Sequence, residues 1–476
     1  MSKNIAIIGS GFLGMTLALR LAGQGHRVTI FESADRIGGL AAVWEIGDIT
    51  WDKHYHVTLA SDSHTRRLLE EIGLGDELRW VETKTGFYTD GKLYSMSDTA
   101  EFLKFPPLGL IGKLRLGATI FYASRVKDWK ALEKLSVEEW LTKLSGRKTF
   151  QKIWLPLLRA KLGEEYKETS AAFIWATIQR MYAARRSGMK KEQFGYVRGG
   201  YARVLDEMSR ELLRRDVEIR LNSPIESVEK LGPRSIAVKT KEARRHRDVK
   251  PLRISTGKLS NVFAIGGGMA VVSKTNVTEL PSAADAETFD SVILTCPSTT
   301  AAEILPQLNE IERRSMRSVR YQGIVCASVL MKCPLSRFYV TNITDDSPFT
   351  GVIEMSALVD KREFDGNSLI YLPKYVAPGD EIFEMSDGEI RRLFLDGLGR
   401  MYPHFNEKDV LAFRVSRVRE VFPLPVLNYS EGLAPMQTSI EGVYAVNSSH
   451  IVNGTLNVNE TVGLAERFFA EHFGND

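Results

Sequence analysis

At 476 residues the chain exceeds what one compact core supports, so two domains are expected. Hydrophobic residues make up 43% and charged residues 26%, with 63 Lys and Arg against 59 Asp and Glu, a net charge of +4. This is the balance of an ordinary globular protein; it gives no support to a nucleic-acid partner and permits attraction to an anionic membrane surface.

The N-terminal residues Met1-Ser2-Lys3-Asn4 lead straight into an apolar run, leaving no room for a targeting peptide, and no window approaches the roughly 18 apolar residues of a membrane span. Cys296, Cys326 and Cys333 form no C-x-x-C pair, which fits a reducing compartment and argues against disulfides and structural zinc. The chain therefore reads as cytosolic.

Residues 5–14, Ile-Ala-Ile-Ile-Gly-Ser-Gly-Phe-Leu-Gly, are a strand breaking into G-x-G-x-x-G. Gly9 allows the tight turn, Gly11 lets a pyrophosphate approach the backbone, and Gly14 lets helix and strand pack closely. A helix over 12–24 should end at Gly25, a left-handed cap. The strand at 28–31 ends in Glu32, where an acid meets a ribose hydroxyl. Arg36-Ile37-Gly38-Gly39 follows, a second glycine pair that ordinary nicotinamide dehydrogenases lack. Together these residues predict a bound dinucleotide.

Between about 95 and 190 long helical segments carry Trp129, Trp140, Trp154 and Trp175, either around a bulky apolar pocket or in a helical core. Alternation at 217–221 continues through Ile225 as a strand, and 230–280 reads as a hairpin whose charged tip, 241–247, is a solvated loop. Gly266-Gly267-Gly268 reads as a turn. The run 289–297 is a buried strand ended by Pro297, and 323–331 and 368–372 are further strands. A strand at 442–447 and a helix from Val458, with Asn457 and Glu460 as an Asn variant of the capping box, close the chain.

The fingerprint from Gly9 to Gly39, the interleaving and the closing strand-loop-helix resemble the flavin-containing amine oxidase superfamily, which includes protoporphyrinogen oxidase and phytoene desaturases. The resemblance implies an α/β fold: a discontinuous Rossmann-type FAD-binding domain (1–95, 191–300 and 426–476) with an inserted mixed α+β substrate domain (96–190 and 301–425). It implies FAD as cofactor, with Gly9, Ser10, Gly11, Phe12 and Leu13 cradling the pyrophosphate and Gly14 permitting packing. Glu32 would bind the adenosine ribose with Arg36 beside it, and Gly38, Gly39 and Leu40 would run along the flavin. The Ile225 backbone would meet the adenine, and Leu456, Asn457 and Val458 would set a helix N-terminus against the pyrimidine end. Relatives carry Gly then Asp or Glu at the end of the last strand; Val446-Asn447-Ser448 stands here, with Asn447 in the acid's place.

The reaction implied is dehydrogenation of a C–C or C–N bond of a small or lipophilic substrate by hydride transfer to flavin N5, with oxygen, a quinone or another carrier as electron acceptor. No triad or metal set is required and none is found; His54 and His56 lack a third ligand. His56 is a candidate substrate or flavin contact, with a structural histidine as the plain alternative. Arg159 and Lys161 are candidates for an anionic substrate group, and Glu354 and Tyr371 are further pocket candidates. Lys374 invites comparison with an amine-oxidase lysine but reads as a surface residue. The segment from Phe105 to Lys127, apolar with interspersed cations, is either a helix packed on the substrate domain or a peripheral membrane contact. Two other readings share the architecture: a UDP-galactopyranose-mutase-like isomerase acting on a nucleotide sugar, and a non-catalytic escort or GDP-dissociation-inhibitor-like module.

Overall fold

The structure is a computed structural model that describes residues 2–186, 193–241, 252–254 and 286–474. Its organising element is a six-stranded sheet in the order Leu252–Ile254, Glu218–Leu221, Arg27–Phe31, Asn4–Ile8, Ser291–Leu294 and Val443–Ala445. All neighbours are parallel except the edge strand Leu252–Ile254. The central strand is apolar on both faces, as a parallel sheet covered on both sides demands, with Ile7 registered against Ile30 and Ile293. Beginning, middle and end of the chain thus meet in one sheet. The first helix, Phe12–Gly23, and the last, Val458–His472, cover one face in a shared core with Leu17, Leu21, Val462 and Phe468. Gly25 ends the first helix at φ +83 with its N–H on the Ala22 carbonyl.

A second sheet of seven strands runs Val410–Pro423, Tyr321–Met331, Ser368–Val376, Gly351–Glu354, Val340–Ile343, Thr85–Thr89 and Lys92–Ser95. Residues 85–95, expected with the cofactor domain, are strands of this sheet. Thr85–Thr89 pairs parallel with Val340–Ile343, a partner some 250 positions on that no local pattern announces. A helical layer spans Thr99–Lys104 to Ala171–Arg186. Trp140, Trp154 and Trp175 are buried in its core, with Trp154 Nε1 donating to Ser145 Oγ and Trp175 Nε1 to the Val126 carbonyl. Of the two tryptophan readings, the helical core is the one observed.

Most of the hairpin expected over 230–280 lies outside the described residues. Ile225–Gly232 pairs with Ser235–Thr240, and Arg234 turns the corner at φ +54. The rest of the charged run, 242–247, and Gly266, Gly267 and Gly268 lie outside the described residues.

Candidate functional site

Two glycine turns meet at the end of the central strand. Gly9 adopts φ +111, and its N–H donates to the Phe31 carbonyl. The Gly38 N–H donates to the Ser10 carbonyl at 3.0 Å, and a Cβ on Gly39 would stand 3.3 Å from Gly11 Cα. A Cβ on Gly14 would fall 2.1 Å from the Gly9 carbonyl oxygen, so helix and strand touch backbone to backbone. Gly11 is different: no heavy atom lies within 4 Å of a Cβ built there, and its φ of −67 suits any residue. The sequence keeps this position small although nothing in the protein fills it. No side chain caps the helix that starts at Phe12, and no acid lies in its first turn, so its N-terminus offers free N–H groups and a positive field. The residues present have the geometry and charge to fit a dinucleotide.

Glu32 stands at the end of the neighbouring strand. Its carboxylate accepts from Ser10 N at 2.9 Å and Ser10 Oγ at 2.7 Å on one oxygen and from Ala34 N at 2.9 Å and Ser33 Oγ at 3.2 Å on the other, which ties the glycine turn to the strand end. The Ser223 N–H donates to the Glu32 carbonyl, which brings Ile225 to the same corner. Arg36 donates to the Val43 carbonyl and pairs with Asp35, bracing the second glycine turn. Leu40 is held from behind: its carbonyl meets His54 Nδ1 at 3.1 Å, and His54 Nε2 meets Ser416 Oγ at 3.0 Å. Burial pushes the His54 pKa down to about 4, so the ring is neutral. The carbonyl then requires the proton on Nδ1, and Nε2 accepts from the serine hydroxyl.

At the other end, Asn457 caps the last helix by accepting from Glu460 N at 3.1 Å. The reciprocal half of the expected box is missing, since Glu460 accepts from Asn459 Nδ2 instead. Leu456 packs against both the sheet core and the helical layer, and Val458 against the sheet core. Asn447 is buried, with its amide bonded to Ser298 Oγ and Ser449 N and its own N–H to His450 Nδ1. It holds the strand end in a closed polar network.

The candidates for substrate contact divide sharply. His56 lies against Tyr201, with ring centroids 4.8 Å apart, and its Nδ1 is 3.9 Å from Asp52 Oδ2. Both border a cavity also lined by Phe12, Thr65 and Met355. Burial pushes the pKa of Asp52 up to about 7 and that of His56 down to about 3, so the imidazole is neutral and the pair forms no ion pair. Tyr371 is 0% exposed, and its hydroxyl donates to the Asp52 carbonyl, a supporting strut with no surface to offer a substrate. Glu354 is buried, accepts from Leu335 N and Ser356 Oγ, and clamps a loop. Arg159 is exposed and paired with Glu164 at 2.9 Å. Lys374 alternates with Tyr375 along one strand, so it faces away from the Tyr55–Tyr375 side.

Sequence reasoning singled out neither Tyr55 nor Tyr375, whose hydroxyls meet at 2.9 Å, nor Phe422, whose ring is 5.9 Å from that of Tyr375. Lys161 Nζ sits 3.6 Å from the Tyr375 ring centroid. Aromatic residues on separate segments carry no signal of convergence until the fold is assembled. Among the described residues no cluster of His, Cys, Asp and Glu has metal-binding geometry.

A family model described as flavin containing amine oxidoreductase matches residues 14–250 and 258–456. The chain belongs to this family. Membership assigns a flavin cofactor, FAD, and the oxidoreductase class. The chain is 29% identical to 15-cis-phytoene desaturase of Glycine max over 157 residues, which cover 29% of this chain and only 28% of that relative. Putrescine oxidase bound to putrescine superposes with a TM-score of 0.70 at 16% identity, covering 100% of this chain and 99% of that one. Reduced UDP-galactopyranose mutase superposes with a TM-score of 0.69 at 12% identity, covering 100% and 96%. At such identities the two structures speak for the fold: a Rossmann-type cofactor domain with a substrate domain.

Proposed function

We propose that this protein is an FAD-dependent dehydrogenase that desaturates a C–C or C–N bond of a small or lipophilic substrate and passes the electrons to oxygen, a quinone or another carrier. The observation that carries this reading is the open cradle at Gly11, beneath an uncapped helix and against the Gly38-Gly39 turn. In this reading Gly9, Ser10, Gly11, Phe12 and Leu13 hold the pyrophosphate, Glu32 the ribose, and Ile225 the adenine. Gly38, Gly39 and Leu40 follow the ring system, with His54 fixing Leu40 and Arg36 bracing the turn. The helix N-terminus behind Leu456, Asn457 and Val458 favours negative charge at the pyrimidine end. Bound FAD supplies a two-electron acceptor at N5. The chain's task is to orient the substrate carbon and exclude water, for which the Tyr55, Tyr375 and Phe422 wall is suited.

A membrane contact belongs to the same reading. On the helix Leu110–Ala123, Leu110, Ile111, Leu114, Phe121 and Tyr122 are between 51% and 74% exposed and recur at helical spacing along one side, and Leu103 adds to them. Residues 102–127 hold five cations and no acid, and of these Lys104, Arg115, Arg125 and Lys127 are exposed. An apolar stripe flanked by these cations suits an anionic bilayer. Among the described residues no helix is long and apolar enough to cross one.

The test is optical. Purified protein should show a flavin spectrum, and a panel of metabolites under anaerobic conditions should include one that bleaches it. A colourless protein that takes up no FAD on refolding would refute the proposal. Turnover that consumes no acceptor would point to isomerisation instead.

A further inference from the structure

Lys161 lies at the end of the helix Leu155–Leu162, two positions after Arg159 and therefore on a different side. Arg159 faces solvent with Glu164 beside it. The Lys161 ammonium instead turns inward, 3.6 Å from the Tyr375 ring centroid and 5.0 Å from that of Phe422. Protein surrounds it, yet part of its surface stays accessible. Nζ has no hydrogen-bond or ion-pair partner among the described residues. Tyr375 in turn meets Tyr55, next in sequence to His54, which holds Leu40 in the second glycine turn.

An ammonium largely surrounded by protein without a counter-ion is costly, and burial draws the Lys161 pKa down to about 7. The two ring faces favour the charged form only in part, because a cation–π contact replaces neither water nor a carboxylate. A cation placed this way is incomplete until an anion arrives, and no acidic side chain among the described residues supplies one.

We propose that Lys161 binds an oxyanion of the substrate, a carboxylate or a phosphate, whose apolar body lies along the Tyr375 and Phe422 rings. This rests on the reading of the protein as a flavin dehydrogenase with its substrate beside these rings, and it narrows that substrate to an anionic amphiphile. Arg159, the neighbouring cation, takes no part.

Calorimetric titration of the FAD-loaded protein with benzoate, phenyl phosphate and neutral benzamide tests it. At least one of the two anions should bind, which also tells carboxylate from phosphate, and benzamide should bind at least tenfold more weakly. Lys161→Met should lose roughly ten- to a hundredfold in anion affinity, the worth of a hydrogen bond to a charged group. Lys161→Arg should retain part of it, and Arg159→Met all of it. Lys161→Met should melt no lower than the parent, because it removes an uncompensated charge, and should keep its flavin. Equal anion affinity in Lys161→Met, binding of benzamide as tight as benzoate, or no binding of either anion by the parent would overturn the proposal. Absence of flavin from the parent is a separate failure, that of the dehydrogenase reading.

Discussion

Replacing Gly11 with aspartate should separate cofactor binding from folding, and Gly14→Ala should do the reverse. Gly11 is the N-cap of the first helix, its φ of −67 and ψ of 173 are open to any residue, and no atom lies within 4 Å of the added Cβ. An aspartate there is a better cap than glycine by a few tenths of a kcal/mol and gains about 0.3–1 kcal/mol from the helix field. The flavin-free variant should thus be as stable as the flavin-free parent or slightly more so. Its carboxylate, however, enters the space reserved for the pyrophosphate. Two unit charges about 4 Å apart repel by about 4 kcal/mol at an effective dielectric of about 20, close to a thousandfold in affinity for each phosphate. At Gly14 the added Cβ would stand 2.1 Å from the Gly9 oxygen, so the helix must move about 1 Å, at about 1–3 kcal/mol or more. The assay pairs the flavin-to-protein absorbance ratio with urea unfolding of flavin-stripped protein, since bound cofactor would otherwise inflate the parent's stability. Stoichiometric flavin in purified Gly11→Asp, or apo-protein several kcal/mol less stable than apo-parent, would refute the reasoning.

Asp52→Asn should flatten the pH dependence of stability. Burial raises the folded carboxyl to about 7, so the folded state binds this proton more tightly than the unfolded chain does; the contribution is complete at low pH and is lost as pH rises through 7. The neutral amide escapes that loss, so between about pH 4 and pH 7 the variant should gain up to about 4 kcal/mol over the parent and hold that gain above pH 7, and a difference that urea unfolding finds constant from pH 4 to pH 7 would refute this. His54 and His56, depressed to about 4 and 3, lose stability in the opposite direction as pH falls, and comparing variant with parent largely cancels them. Asn457→Ala removes the cap on the last helix and should cost about 1 kcal/mol with weakened flavin retention, whereas Arg159→Ala should change stability by less than about 1 kcal/mol. Ile111→Ser with Leu114→Ser should abolish flotation with phosphatidylglycerol-containing vesicles; Arg115→Glu with Lys127→Glu should weaken it by about 1 kcal/mol per charge, more at low salt. Flotation unchanged in both pairs would leave the apolar stripe without a membrane role.

Some features could be read directly from the order of residues because they are local. The strand-turn-helix at Gly9–Gly14 needs only an apolar run, positive φ at Gly9 and a missing Cβ at Gly14, all written within ten positions. The left-handed exit at Gly25 and the Asn457 cap are equally short-range. The strand end at Glu32 follows from the same repeat, and family-wide spacing extends it to the Gly38-Gly39 turn. Other features required the assembled sheets. His54 meets Ser416 across 362 positions and Tyr55 meets Tyr375 across 320, contacts that only strand order and register create. The same register turns Lys374 away and buries Tyr371, and helix phase sends Arg159 to solvent while Lys161 turns inward. A cofactor cradle is made of backbone, whose geometry each residue sets for itself and its neighbours. A substrate pocket is made of side chains that different segments bring together, and their meeting is a property of the packed fold.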